Sequence, residues 1–244
     1  MPNTYQETKF ILDKYHIVAS KSLGQNFLIS DEVIEKTIDA ANISKEDLII
    51  EIGPGLGTLT LQLLEKAQKV IAIELDKKMI SILEERFKLY DNFEIINEDV
   101  LKVDLNSLIK KEKEENKIKE VKIVANLPYY ITTPIIMKLL EERLEISTIT
   151  VMVQKEVAER LLAEPGKKNA GAITYSVAYY AETKKVINVP KESFIPAPEV
   201  ESEVIQLVIR KKAPVVVKNE LNFMKLIKAS FMQRRKTFLN RSIK

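Results

Sequence analysis

The chain has 244 residues, 45% apolar and 30% charged, with a net charge of +3, six Gly, nine Pro, one His and neither Cys nor Trp. That composition fits one large globular domain, or one domain with a small appendage, and gives a cytoplasmic expectation. It excludes disulfides, thiolate metal sites and clustered imidazole ligation, and with no long apolar run it excludes a membrane-spanning helix.

Residues 4–15 have helical spacing. After the polar stretch KSLGQNFLIS a second helix is expected over 31–41, with Ser30 as its N-cap. Short β-rich runs at 48–52, 70–75, 93–97, 121–125 and 149–153 then alternate with helical stretches, which implies βαβ units and a mostly parallel, doubly wound α/β sheet. The charge run at 110–120 reads as a solvated helix end or loop. Two more β-like runs, 185–189 and 204–210, follow a helical pattern around 173–180, and their Pro-containing connection suits an antiparallel addition at the sheet edge.

A boundary near Lys212 separates a domain of residues 1–212 from a small basic helical segment, 213–244, in which Phe223, Leu226, Ile227 and Phe231 share a face. From 221 to 244 there are seven basic residues (Lys225, Lys228, Arg234, Arg235, Lys236, Arg241 and Lys244) and no acid, whereas residues 1–220 carry 31 Lys+Arg against 35 Asp+Glu. A basic tail of this kind is either a contact for a polyanion or a solvated helix face, and the sequence alone weighs these equally.

The sharpest local pattern is EIGPGLGTLT, 51–60, between the first β run and a helical one. Gly53, Gly55 and Gly57 let the backbone approach a ligand, and the following helix N-terminus offers free N–H groups. Glu74 ends the second β run, Asp99 follows the third and Asn126 ends the fourth, each about one βα unit after the last. All four positions therefore project from the carboxyl edge of successive parallel strands, where open α/β sheets bind ligands. A dinucleotide fingerprint would need Gly at position 58, where Thr58 stands, so a ligand without a pyrophosphate is favoured. S-adenosylmethionine fits, with its ribose on Glu74, its adenine edge near Asp99 and its methionine part over the glycine turn.

Asn126-Leu127-Pro128-Tyr129 points to the reaction. The exocyclic amine of a base is a poor nucleophile because its lone pair is delocalised into the ring. An Asn oxygen and a backbone carbonyl fixed by Pro can accept its two N–H groups and turn the lone pair towards a methyl donor, while Tyr129 stacks on the ring. Neither a metal nor a strong general base is required.

With these residues in place, the sequence resembles the KsgA-type ribosomal RNA adenine N6,N6-dimethyltransferases, relatives of the erythromycin-resistance rRNA methylases. The resemblance runs from about residue 21 to 210 and rests on QNFL, EIGPGLGTLT, IELD, EDVL, NLPYYITTPI, VQKEVAERL and FIPAPEVES. It implies a Rossmann-like methyltransferase in which Asn26, Leu28, Gly53, Gly55, Glu74, Asp99 and Asn126 contact S-adenosylmethionine. Asn126, Leu127, Pro128, Tyr129 and Phe194 would surround the target adenine, although Phe194 also reads as a core anchor. Tyr130, where many members carry Asn, is a departure that bears on the target-base pocket. The basic segment after 212 reads as an incomplete C-terminal helical domain.

The implied activity is dimethylation of two adjacent adenosines near the 3′ end of small-subunit rRNA by a monomer whose partner is the assembling small ribosomal subunit, with no metal and no membrane. The alternatives are a resistance-type methylase acting on large-subunit rRNA and an assembly factor with incidental methylation. A nicotinamide-dependent oxidoreductase is disfavoured by Thr58.

Overall fold

The computed structural model describes residues 3–20 and 23–232. Its elements are α1 (Thr4–Lys14), β1 (Phe27–Leu28), α2 (Asp31–Ala41), β2 (Asp47–Ile52), α3 (Thr58–Lys66), β3 (Lys69–Glu74), α4 (Lys77–Phe87), β4 (Phe93–Asn97), α5 (Leu105–Asn116), β5 (Glu120–Asn126), α6 (Thr132–Glu141), β6 (Thr148–Gln154), α7 (Lys155–Leu162), α8 (Ala172–Tyr180), β7 (Ala181–Val189), β8 (Phe194–Ile195), β9 (Ser202–Ile209) and α9 (Glu220–Phe231).

Seven strands form one sheet in the order β4-β3-β2-β5-β6-β9-β7. The first five are parallel, while β9 runs antiparallel to both β6 and β7. The helical connections put the chain on both faces of the sheet, so the inner strands are apolar almost throughout. Leu48, Ile50, Ile71, Ile73, Ile123 and Val151 point to one face, where α5, α6, α7, α8 and α9 close a core. Ile49, Val70, Val124 and Met152 point to the other, under α2, α3 and α4. Asn3, Ser30, Asp76, Asp104 and Asn219 cap α1, α2, α4, α5 and α9 with their side chains.

The antiparallel addition at the edge is present, and it has two strands: β9 inserts beside β6, and β7 begins at Ala181, straight out of α8. The 110–120 charge run is the end of α5 and the loop leading into β5, mostly exposed, with one exception among its charges: Glu112 is buried, 2.8 Å from Lys69 Nζ at the start of β3, because this face of α5 lies against the sheet. In α9 the buried face is made by Met224 and Ile227 with Phe223 partly covered, whereas Leu226 and Phe231 are exposed.

The helix α9 packs on the first core through Tyr179–Phe223 and Tyr175–Phe231 ring contacts at 5.3 and 5.4 Å. Glu220 in its first turn pairs with Arg143 and accepts from the Tyr180 hydroxyl at 3.0 Å. Arg234, Arg235, Lys236, Arg241 and Lys244 of the basic tail lie outside the described residues. Among the described residues no helix is long and apolar enough to cross a membrane.

Candidate active site

The carboxyl ends of β2, β3 and β5 open onto one cleft, lined among others by Gly53, Gly55, Glu74, Asn126, Pro128 and Tyr129. Its geometry begins in the sheet. Parallel pairing sets Ile52 beside Ala125 and Ile52 beside Ile73, so the glycine turn, Glu74 and Asn126 all leave the sheet at the same level.

The glycine turn is bound tightly to its surroundings. Gly53 N–H donates to the Ile73 carbonyl at 3.0 Å and Gly57 N–H to the Pro54 carbonyl at 2.9 Å. Gly57 is the N-cap of α3 at φ 83° and offers no side-chain cap, so the first-turn N–H groups of α3 stay available to a ligand. A Cβ at Gly57 would lie 2.6 Å from Phe87 Cε2, which makes this glycine a packing requirement as well as a conformational one.

Glu74 is 9% exposed and braces the turn. Its Oε1 accepts from Leu75 N and Asp76 N, both at 2.8 Å, and its Oε2 accepts from Gly55 N at 3.3 Å. Asn97, at the end of β4, donates to the Glu74 carbonyl at 3.0 Å and holds the strand end in place. Burial pushes the Glu74 carboxyl up, against those three N–H bonds.

Glu51 also lines this cleft and carries a site signal that the sequence reading passed over. It is 1% exposed, accepts from Thr60 Oγ1 at 2.6 Å, and has its pKa pushed up to about 8 by burial, with the Glu74 charge adding to the rise. Position gave the available clue: an acid in the middle of an otherwise apolar strand run must be buried.

The N-terminal arm forms another wall. Gln25 donates to Asp76 Oδ2 at 2.8 Å and Asn26 to the Gly24 carbonyl at 3.2 Å, while Phe27 and Leu28 of β1 pair with Ile195 and Phe194 of β8. Asn126 Nδ2 donates to the Asn26 carbonyl at 3.3 Å, so the amide oxygen of Asn126 is the atom left to accept from a ligand. The Pro128 carbonyl accepts from Ile131 N at 3.2 Å and Thr132 Oγ1 at 2.9 Å, which ties the turn to α6. Half-buried Tyr129 has its hydroxyl 2.6 Å from Ser202 Oγ.

Asn26, Leu28, Gly53, Gly55, Glu74, Asn126, Leu127, Pro128 and Tyr129 thus come together around one cleft. Two expected residues stand apart from that lining. Asp99 lies two positions beyond β4 and accepts from Leu101 N at 2.9 Å within its own turn. Phe194 is 3% exposed, paired with Leu28 and packed in the second core, in line with the core-anchor reading. Exposed Leu75 and Tyr130, by contrast, line the cleft. Among the described residues no group of three or more His, Cys, Asp or Glu is placed to hold a metal ion.

Residues 18–244 match the family model described as ribosomal RNA adenine dimethylase. A ribosomal RNA small subunit methyltransferase A from Lachnoclostridium phytofermentans is 53% identical over 236 residues, covering 96% of this chain and 80% of that protein. Among solved structures, a dimethyladenosine transferase from Plasmodium falciparum superposes with a TM-score of 0.75 at 33% identity, over 88% of this chain and 74% of the other. The 23S rRNA methyltransferase ErmE superposes with a TM-score of 0.69 at 23% identity over 89% and 84%, a likeness of fold.

Proposed function

The chain belongs to the ribosomal RNA adenine dimethylase family, and from that premise we propose how its residues divide the work. The protein is a methyltransferase that dimethylates adenine in small-subunit ribosomal RNA. The finer reading is that it modifies two adjacent adenosines near the 3′ end of that RNA, in the assembling subunit, with S-adenosylmethionine as donor.

The cleft suits such a donor chemically. Two buried carboxyls, Glu51 and Glu74, face a ligand of net positive charge, and the uncapped N-terminus of α3 faces its carboxylate. Glu74 Oε2, with one N–H partner at 3.3 Å, has acceptor capacity for ribose hydroxyls. S-adenosylmethionine, when bound, supplies an electrophilic methyl group.

The chain's own residues then prepare the amine. The Asn126 amide oxygen accepts one N–H of the adenine amino group. The Leu127 carbonyl, in the bond preceding the Pro128 ring, accepts the other, since the Pro128 carbonyl is engaged by Ile131 and Thr132. Two acceptors out of the ring plane pull the nitrogen towards tetrahedral geometry and free its lone pair. Tyr129, anchored through Ser202, stacks on the base. Most of the gain is orientation and electrostatics.

The observation that carries this reading is the Asn126–Asn26 hydrogen bond, because it fixes which atom of the Asn126 amide faces the cleft. The test is incubation of unmodified small and large subunits together with methyl-labelled S-adenosylmethionine. N6,N6-dimethyladenosine in small-subunit RNA is expected; label confined to large-subunit RNA would overturn it.

A further inference from the structure

Tyr130 has no part in the scheme above, yet it occupies a conspicuous place. It follows Tyr129 in the turn before α6, lines the same cleft, and is 58% exposed. An aromatic side chain this open, beside a neighbour whose ring is fixed by a 2.6 Å hydroxyl contact, offers aromatic surface at the rim of the site.

The N-terminal arm approaches that ring. Gly24 stands beside it at φ 61°, where a Cβ would meet Tyr130 Cδ1 at 3.5 Å and Cε1 at 3.8 Å. One edge of the ring therefore faces the N-terminal arm at Gly24, with room for a methyl group between them, and more than half of the residue stays exposed. Thr132 and Ile131 secure the Pro128 carbonyl just before it, so the backbone that carries Tyr130 is held at both ends of the turn.

The substrate of this enzyme is a base within a polymer. When one adenine is taken out of its stack into the cleft, the nucleotide next to it loses a stacking partner and is delivered, on a tether of one nucleotide, to the rim. We propose that Tyr130 is the stacking platform for that neighbouring base, a binding subsite for a purine flanking the target adenosine. The proposal rests on the methyltransferase reading above. It reads the π face of the neighbour and not its hydrogen-bonding edge, so it accepts adenine and N6,N6-dimethyladenine alike. That tolerance is what modification of two adjacent adenosines demands, because the second target is reached when its neighbour is already methylated.

The test uses the full chain and small subunits reconstituted from transcripts with adenosine or uridine beside the target. With the native flank, Tyr130→Ala is expected to raise KM for subunits on the order of tenfold to a hundredfold, while kcat and cofactor affinity stay near the parent's and Tyr130→Phe restores binding. Exchanging the flanking purine for uridine should weaken the parent and leave Tyr130→Ala unaffected. Equal responses of parent and Tyr130→Ala to the uridine exchange would overturn the proposal. So would a Tyr130→Phe variant as weak as Tyr130→Ala, or a loss in Tyr130→Ala that appears in cofactor binding alone. Failure of the underlying reading is distinguishable, since the parent chain would then transfer no methyl to the native subunit.

Discussion

Thr60 Oγ1 donates a 2.6 Å hydrogen bond to Glu51 Oε2 at the floor of the cleft, and together they hold a buried carboxyl whose pKa is pushed up to about 8 by its burial. At pH 7 the free protein therefore keeps most of Glu51 protonated. A ligand of net positive charge favours the ionised form, so its binding expels a proton. We expect cofactor affinity to rise as pH increases from about 6 to about 9, and binding heats at pH 7 to vary with the ionisation enthalpy of the buffer. Glu51→Gln should remove both effects. The stability of the free protein runs the other way. With the folded pKa above the unfolded one, the stabilising contribution is complete below pH 4.5 and is lost as pH rises through about 8. Denaturant titrations across that range check the sign.

Glu74 braces Gly55, Leu75 and Asp76 through its oxygens, and in the proposed reading it also presents Oε2 to the ligand. Glu74→Ala should weaken S-adenosylmethionine binding by about 1.5 to 3 kcal/mol, the range for lost hydrogen bonds to a charged group. It should also lower the melting temperature, because three N–H groups lose their acceptor. Titration calorimetry of the folded variant with unchanged affinity would contradict the assignment.

Asn126→Ala is expected to leave the fold and most cofactor affinity in place and to slow methyl transfer by roughly 10² to 10³, the loss seen when one oriented transition-state partner is removed. The second transfer begins from an amine with one N–H fewer, so residual product should be mostly monomethylated. Single-turnover assays with mass analysis of the nucleosides decide it, and near-parental rates with normal dimethyladenosine would reduce Asn126 to a strand-end residue.

Gly57→Ala places a methyl group 2.6 Å from Phe87 Cε2 and 2.8 Å from Leu83 Cδ2, on a backbone at φ 83°. Overpacking and left-handed strain together should cost roughly 2 to 5 kcal/mol. Gly53→Ala meets its nearest atom at 3.9 Å and carries the conformational strain alone. Denaturation midpoints should therefore rank the parent first, Gly53→Ala next and Gly57→Ala last.

The parallel strands were legible in the sequence because burial on both faces makes a strand such as β2 read, from Leu48 to Ile52, as an apolar run interrupted only by Glu51. The glycine turn, Glu74 and Asn126 were legible because βα units have a nearly constant length. The same spacing leads to Asp99, two residues beyond β4, whose Oδ1 accepts from Leu101 N. The pairing of Phe27 and Leu28 with Ile195 and Phe194 was illegible, since two-residue strands so far apart in sequence are chosen by tertiary contact and carry no periodic signal. Glu112 escaped for the opposite reason. Its immediate neighbours in sequence are charged, and its burial depends on partners the local pattern does not announce, Lys69 on a distant strand and Asn116 one helical turn on.

Because β2 and β5 are hydrogen-bonded neighbours, with Ile52 opposite Ala125, the separation between the strand ends that carry the glycine turn, proposed to meet the cofactor, and the Asn126 turn, proposed to meet the base, is a repeat distance of the sheet, about 4.8 Å between strands. No side-chain substitution can adjust it in small steps. A slip of the pairing by two residues would displace one turn against the other by roughly 6.6 Å and end the chemistry outright. Insertions in the long connection between these strands, however large, leave that distance untouched. Natural variation in this enzyme should therefore collect in loop lengths and rim residues such as Tyr130, with the inter-turn spacing behaving as an inherited constant.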